Sequence, residues 1–407
     1  RLPRILSDYR MVGPTRWHHD GAEVLPQTAH TEPFHSKSMK TERTKNLPPF
    51  HTQTIGSLPR PQVVRDLIAK KDQLSPDRYQ TSMDTMVRFA IRLQEEAGLD
   101  VITDGEWRRT HYIHELFDRV GGFEKCRLFE HQGEMKTTHV VVRTMHYDTP
   151  VFAEEARFLS ENTTRITKYA LPSPFLIGIR FWHEDFSQDA CPTMQHFVDH
   201  LTHILSQEAR ALVQAGMDII QIDDPALTYF CDRQLMSKQS SHDERLRRTW
   251  TPDKQIPQAV SAINRVVEGL EAEVHLHCCH SVYKRNKDVS GNYKPLLPWL
   301  EGLSVDRVNL EFAYSGTGEA DDLSSLPEHL GVGMGIVDIR NEQMQSVDEM
   351  IQLALQGAKY ISPERIALNP DCGFAPDAGE PPTIDEAYAK LCRLVTASHR
   401  VNQQFPI

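Results

Sequence analysis

Histidine, cysteine and acidic residues recur in this 407-residue chain at spacings that suit a metal site. In the run Glu273-Val274-His275-Leu276-His277-Cys278-Cys279, residues two apart share one face of an extended strand. His275, His277 and Cys279 therefore form one face, and Leu276, Cys278 and His280 the other. In the next apolar run, Val308, Leu310 and Phe312 are the set expected to pack against helices, which turns Asn309 and Glu311 to the opposite side. Cys372 ends a further run, Asn369-Pro370-Asp371-Cys372-Gly373, where the proline stops regular pairing and the glycine permits a sharp turn. Two thiolates, one imidazole and one carboxylate (Cys279, Cys372, His277, Glu311) make a tetrahedral set of borderline-soft donors. A set this rich in sulfur favours Zn²⁺ over magnesium or calcium. A one-residue change of register would exchange Cys279 for Cys278, so spacing alone leaves both in play.

Bringing these groups together requires a particular scaffold. Short apolar runs predict strands over residues 52–57, 100–104, 175–180, 218–223, 273–279, 307–312, 330–337 and 365–371. Amphipathic stretches between them predict helices over 61–71, 78–97, 194–215, 257–270, 346–358 and 383–397. Eight strands, each with room for a following helix, predict an α/β fold, a (β/α)8 TIM barrel, with a doubly wound sheet as the competing arrangement. In such a barrel the catalytic face is the C-terminal end of the strands. The residues predicted there are Ser57, Asp104 with Glu106, Arg180 with Trp182, Asp223 with Asp224, His277 with Cys279, Glu311, Asp338 and Cys372. Acidic, imidazole and thiol groups spread over more than 300 residues of sequence thus meet at one rim.

Two insertions interrupt the repeat. Residues 123–147 alternate apolar and polar side chains and predict a small β-meander, while 229–254 is charged and serine-rich. Residues 1–48 have scattered prolines and no sustained periodicity, and are expected to form an irregular N-terminal extension to a barrel spanning 49–407.

Composition narrows the function class. The net charge is −11, which argues against a nucleic-acid partner because phosphate contacts need a basic surface. No run approaches the roughly 20 apolar residues that cross a bilayer, and no apolar segment of the secretory kind opens the sequence. Seven cysteines, an odd number spread thinly, do not make a disulfide framework. A cytoplasmic enzyme with reduced thiols is expected, a monomer or homo-oligomer acting on small molecules.

The segments Thr54-Ile55-Gly56-Ser57, Asp104-Gly105-Glu106-Trp107-Arg108-Arg109, Gln221-Ile222-Asp223-Asp224-Pro225-Ala226, His275-Leu276-His277-Cys278-Cys279, Leu310-Glu311 and Asn369-Pro370-Asp371-Cys372-Gly373-Phe374 resemble the catalytic barrel of the cobalamin-independent methionine synthase family. They occur in the family's order and cover the chain from about residue 49 onward. The resemblance implies a zinc ion held by His277, Cys279, Glu311 and Cys372, and so selects Cys279 over Cys278. It implies an amino-acid thiol substrate such as homocysteine, held by the backbone around Ile55 and Ser57 and by the carboxylates of Glu106 and Asp223. Two carboxylates suit a substrate ammonium group, and coordination to zinc deprotonates a thiol that is otherwise mostly protonated at neutral pH. The implied reaction is attack of the thiolate on a methyl donor, with Glu311 as the ligand that the thiol displaces.

Four positions depart from the family pattern. Full-length members carry a second, N-terminal barrel and a tryptophan that stacks on the folate donor; Arg180 stands at the matching position here, with Trp182 close by as a substitute platform. Arg340 replaces a histidine that serves the departing folate, which makes it a candidate for substrate binding. Asp224 replaces a glutamate and His280 a tyrosine. The resemblance is to the short, single-barrel branch, and a zinc thiol alkyltransferase or C–S lyase acting on a different substrate is the alternative reading.

Overall fold

The computed structural model describes residues 41–109, 113–131, 134–236, 251–283, 285–375 and 382–405. Eight strands supply the frame: β1 (His51–Thr52), β2 (Val101–Ile102), β3 (Ile166–Pro172), β4 (Ile219–Asp223), β5 (Glu273–His277), β6 (Arg307–Glu311), β7 (Gly331–Val337) and β8 (Ile366–Pro370). All pair in parallel, in the order β1-β8-β7-β6-β5-β4-β3-β2. A parallel bridge between Gln53 and Val101 joins the two ends of that order and closes the ring. This is the (β/α)8 barrel that the strand count predicts.

Helices cover the outside, most of them by burying one apolar stripe. The helix Pro76–Ala97 starts with proline in its first turn, buries Met83, Val87, Ala90, Ile91 and Leu93, and stops at Gly98, whose φ of 90° few other residues adopt. Val347–Gly357 opens on a capping box between Ser346 and Glu349. No described helix is long and apolar enough to cross a membrane.

The interior of the ring is polar, in contrast to the branched apolar layers usual for this architecture. Lys168 donates to Gln53 Oε1 (2.9 Å), Gln53 to Asn309 Oδ1 (3.2 Å), and Asn309 to Gln221 Oε1 (3.0 Å). Buried amides and an ammonium persist only when bonded in this way. Space for them comes from β7, whose sequence alternates glycine with apolar residues. A Cβ on Gly333 would fall 2.0 Å from Asn309 Oδ1, and one on Gly335 2.7 Å from Asp371 Oδ1.

One predicted strand is corrected. Residues 175–180 are not a strand but the core of a helix, Pro174–Phe181, and the strand of that repeat is Ile166–Pro172. Every residue of the helix except Arg180 is buried, so its apolar run has no polar face to betray its period. Ser173, which accepts from Leu176 N–H, and Pro174 at the first turn mark it as a helix start. The small β-meander expected over residues 123–147 is a two-stranded antiparallel pair, Phe123–His131 with Glu134–Val141.

Of the expected N-terminal extension, residues 1–40 lie outside the described residues. The rest includes a short helix, Glu42–Lys45, whose Arg43 pairs with Asp218 at 2.9 Å. Within the second insertion, residues 237–250 also lie outside the description. Its last residues already belong to the helix Pro252–Val267.

Candidate metal and substrate site

Strand register decides which side chains meet at the C-terminal rim. Asp223 at the end of β4 is paired with His277 at the end of β5, and Asn309 of β6 is paired with the same His277. The imidazole Nδ1 therefore sits 3.2 Å from Asp223 Oδ1, which also accepts from Gln221 Nε2 at 2.8 Å. Its other nitrogen, Nε2, is buried with no hydrogen-bond partner. A carboxylate that fixes one ring nitrogen while the other stays unbonded is the arrangement that prepares histidine for a metal ion.

Cys279, two residues past the strand, and Cys372, two residues past β8, complete the group. One ligand atom from each of His277, Cys279 and Cys372 lies within 4.8 Å of the others. All three side chains are buried. Cys279, not Cys278, points into this group; Thr228 Oγ1 holds the Cys279 carbonyl at 2.9 Å and Tyr293 the Cys278 carbonyl at 2.8 Å. The Cys372 thiol donates to Cys279 Sγ at 3.5 Å, and this bond, with opposition from burial and help from His277, holds the Cys279 thiol well below the ordinary thiol range. Burial works against charging His277, but the Cys279 sulfur and the Asp223 bond prevail and raise it to about 10. An orphaned imidazole nitrogen beside two buried cysteine sulfurs fits Zn²⁺.

Glu311 is not a member of that three-residue group. Its Oε1 accepts from Arg340 Nη2 at 2.7 Å and from the His280 backbone N–H at 3.3 Å, and its Oε2 lies 3.1 Å from His280 Nδ1. Burial is the largest single influence and disfavours its charge, but the Arg340 guanidinium and the His280 ring together outweigh it, so the carboxyl lies below its usual range. Arg340 stands at the rim, three residues past β7, with its guanidinium against Glu311 and the Ser281 carbonyl.

The predicted substrate groups line the same end of the barrel. Glu106 adopts φ 58°, a left-handed conformation costly for a residue with a side chain. Asp104 Oδ1, which accepts its N–H at 2.9 Å, and Arg60, which donates to its carbonyl at 2.6 Å, hold that backbone in place. Burial raises Glu106 to about 7, with Asp223 and Asp104 adding to the shift and Arg109 and Arg60 opposing it. Gly56 leaves the room: a Cβ there would lie 2.3 Å from Glu106 Oε1. The Ile55 carbonyl accepts from Gln221, and Ser57 Oγ accepts from Ala375 N–H at 3.1 Å, tying the loop after β1 to the loop that carries Cys372.

Trp182 is not at a strand end, because the strand assigned to it is a helix. It caps that helix, belongs to the hydrophobic core and gives its indole N–H to the Cys191 carbonyl at 2.8 Å. Arg180, displaced with it, donates to Tyr229 Oη at 3.2 Å.

Two organising residues escape a reading by spacing alone. Asp371 accepts from the backbone N–H groups of Phe312, Ala313 and Tyr314 at 3.0–3.1 Å, linking the loop after β6 to the cysteine next in sequence. Tyr293 accepts the Glu311 N–H at 3.0 Å while donating to Cys278. Asp371 lies inside the motif around Cys372, and that position is its signal in the sequence; Tyr293 carries none.

Comparison with known proteins agrees with this geometry. The family model described as the cobalamin-independent synthase catalytic domain matches residues 50–399. Methionine synthase of Pyrococcus horikoshii is 27% identical over 366 residues, covering 88% of this chain and 94% of that protein. The 5-methyltetrahydropteroyltriglutamate–homocysteine methyltransferase of Bacillus licheniformis is 27% identical over 335 residues, which are 81% of this chain and 40% of that longer protein. Among solved structures, a B12-independent methionine synthase from Shewanella sp. W3-18-1, in complex with selenomethionine, superposes with a TM-score of 0.71 at 22% identity, covering 88% of this chain and 99% of that one. A match that begins just before β1 and ends within the last helix takes in every strand and every side chain of the rim, and the chain belongs to the cobalamin-independent synthase family through its catalytic domain.

Proposed function

We propose that this protein is a zinc-dependent S-methyltransferase that transfers a methyl group to a thiol such as homocysteine. The observation that carries the reading is the buried His277–Cys279–Cys372 group with its unbonded His277 Nε2. His277, Cys279 and Cys372 would hold the ion, with Glu311 beside them. When bound, zinc supplies Lewis acidity that makes a coordinated thiol a nucleophile at neutral pH.

The chain's own residues do the rest. Asp223 orients His277 through Nδ1. Glu106 and Asp223 present carboxylates to the substrate ammonium group, and the backbone at Ile55 and Ser57 borders the same pocket. Burial of the rim keeps water from competing with the thiol for the donor carbon. The Bacillus licheniformis relative, named as a 5-methyltetrahydropteroyltriglutamate–homocysteine methyltransferase, supports homocysteine as the acceptor and a methyl compound as the donor.

The test is direct. The purified protein is assayed for zinc by metal analysis and for methionine formation from homocysteine with a panel of methyl donors that includes methyltetrahydrofolate. One zinc per chain and methionine from at least one donor are expected. A metal-free protein of full activity, or no methionine from any donor, overturns the proposal.

A further inference from the structure

We propose that Lys168 is a positioning residue for the substrate end of the barrel: it anchors a one-way chain of hydrogen bonds through Gln53, Asn309 and Gln221 that aims the Asp223 carboxylate at the substrate ammonium group. This rests on the reading above that Asp223 meets that group.

The direction of the chain follows from its ends. An ionised carboxylate only accepts, so Gln221 must turn its Nε2 to Asp223 Oδ1, 2.8 Å away. Its Oε1 is then left for Asn309 Nδ2 at 3.0 Å, Asn309 Oδ1 for Gln53 Nε2 at 3.2 Å, and Gln53 Oε1 for Lys168 Nζ at 2.9 Å. Each amide thus has one permitted orientation, and the far end needs a donor that asks for nothing in return. Lysine is that donor. Its nitrogen also donates to the Thr54 carbonyl, so both of these partners are neutral oxygens. Burying an amine among neutral groups is costly, and packing alone would favour an apolar side chain there.

Lys168, Gln53, Asn309 and Gln221 are all fully buried, so no water stands ready to replace a broken link. Lys168 is paired with Ile219 at the start of β4, and Asp223 closes that strand. The chain therefore carries a constraint from inside the barrel to its rim. Gln221 and His277 both engage Asp223 Oδ1, which leaves Oδ2 to face the substrate. Gln221 Nε2 also reaches the Ile55 carbonyl at 2.9 Å, so one amide ties the carboxylate to the backbone that borders the same pocket. Burial lowers Lys168 to about 7, and the Asp223 charge is the largest of the influences that oppose it. Neutral or charged, the nitrogen keeps hydrogens for both of its oxygens.

Gln53→Glu separates this role from packing. The glutamate keeps the shape of the side chain and forms an ion pair with Lys168, but it cannot donate to Asn309. Asn309 and then Gln221 must turn over to satisfy it, which brings Gln221 Oε1 against Asp223 Oδ1. Methionine binding is measured by calorimetry on the full chain in the presence of zinc, with circular dichroism to confirm the fold. Gln53→Glu and Lys168→Met are each expected to weaken binding about tenfold, the order of one hydrogen bond to a charged group. In the Asp223→Asn background the reversed chain meets an amide that can turn with it, so Gln53→Glu is expected to add no more than about twofold there. A side chain that merely fills the barrel would cost the same factor in both backgrounds.

A folded Gln53→Glu that binds methionine as tightly as the parent, or an equal loss in both backgrounds, overturns the inference. If Lys168→Met does not fold, the Gln53→Glu cycle decides. Failure of the substrate reading looks different: Asp223→Asn alone then binds methionine as tightly as the parent, and the inference falls with it.

Discussion

The sulfur atoms of Cys279 and Cys372 lie 3.5 Å apart although 93 residues separate them in sequence. Two strands, β6 and β7, stand between the strands that carry them, so the contact spans the mouth of the barrel instead of running along one edge. The hydrogen bond from the Cys372 thiol is the largest of the influences that hold the Cys279 thiol below the ordinary thiol range. Cys372→Ser removes one ligand and the partner that prepares the other, at nearly constant volume. We expect zinc affinity to fall by at least about tenfold with the fold retained. Metal analysis after dialysis and circular dichroism check it; Cys278→Ser is the control and should keep its zinc.

Under the proposed function, Glu106 is expected to supply the pH dependence of substrate binding. With its carboxyl near 7, the empty site holds a mixture of charged and neutral forms at neutral pH. A substrate ammonium group favours the charged form, so binding should strengthen as pH rises through 7 and should release a proton. Calorimetry with methionine, which carries the ammonium group and no titrating thiol, in buffers of different ionisation heat reads that proton. Glu106→Gln is expected to abolish the release and weaken binding by about tenfold or more, the usual worth of a charge-assisted hydrogen bond. Gly56→Ala should weaken binding as well without removing any charge, since its Cβ would stand 2.3 Å from Glu106 Oε1. Proton release that survives in Glu106→Gln would reassign the titrating group.

Seven of the eight strands are legible because they lie in or beside short apolar runs bounded by turns, and the candidate metal-site residues are legible because strand alternation assigns faces without knowledge of the tertiary structure. The exception, Ile166–Pro172, hides behind its own chemistry: Lys168 points into the ring and makes the segment look unlike a buried strand, while the fully apolar helix after it looks like one. Spacing places Glu311 on the inward face but says nothing of what it meets there. Its bonds to Arg340 and His280 come from loops after β7 and β5, and loop conformation is not encoded in periodicity. The alternation Gly331-Val332-Gly333-Met334-Gly335 was the readable sign of a polar interior, since small residues on one face of a strand imply large neighbours opposite.

That alternation carries its own prediction. An alanine methyl at position 333 would stand 2.0 Å from Asn309 Oδ1 and 2.4 Å from Asn369 Oδ1, inside the bonded layer. Gly333→Ala is expected to destabilise the barrel by about 1–3 kcal/mol through overpacking, and by more where an amide loses its partner. Urea denaturation measures it. Asn309→Ala in the same chain should restore part of the loss, because the two substitutions share one volume and cannot be additive. Simple additivity in the double variant would show that the clash is relieved elsewhere.

His51, at the opposite end of β1 from the site, links stability to pH. Its ring is buried, with Nδ1 3.1 Å from the Pro48 carbonyl and Nε2 unpartnered. Burial first, and then the nearby Arg307 charge, lower it to about 3, against smaller opposition from Glu273 and the Pro48 bond. The folded protein therefore keeps this histidine neutral, whereas the unfolded chain protonates it below about 6.5. Between those values the unfolded state binds the extra proton, so stability is full above 6.5 and is lost as pH falls toward 3. At pH 5 this one group costs about 2 kcal/mol. His275, lowered to about 4 mainly by burial, adds a loss of the same sign. His51→Gln cannot titrate, and its denaturation midpoint should fall less between pH 7.5 and 5 than that of the parent. Both proteins keep the same metal site and the same carboxylates, so the difference between the two curves isolates His51, and parallel curves would show that this ring is protonated in the folded state as readily as in the unfolded one.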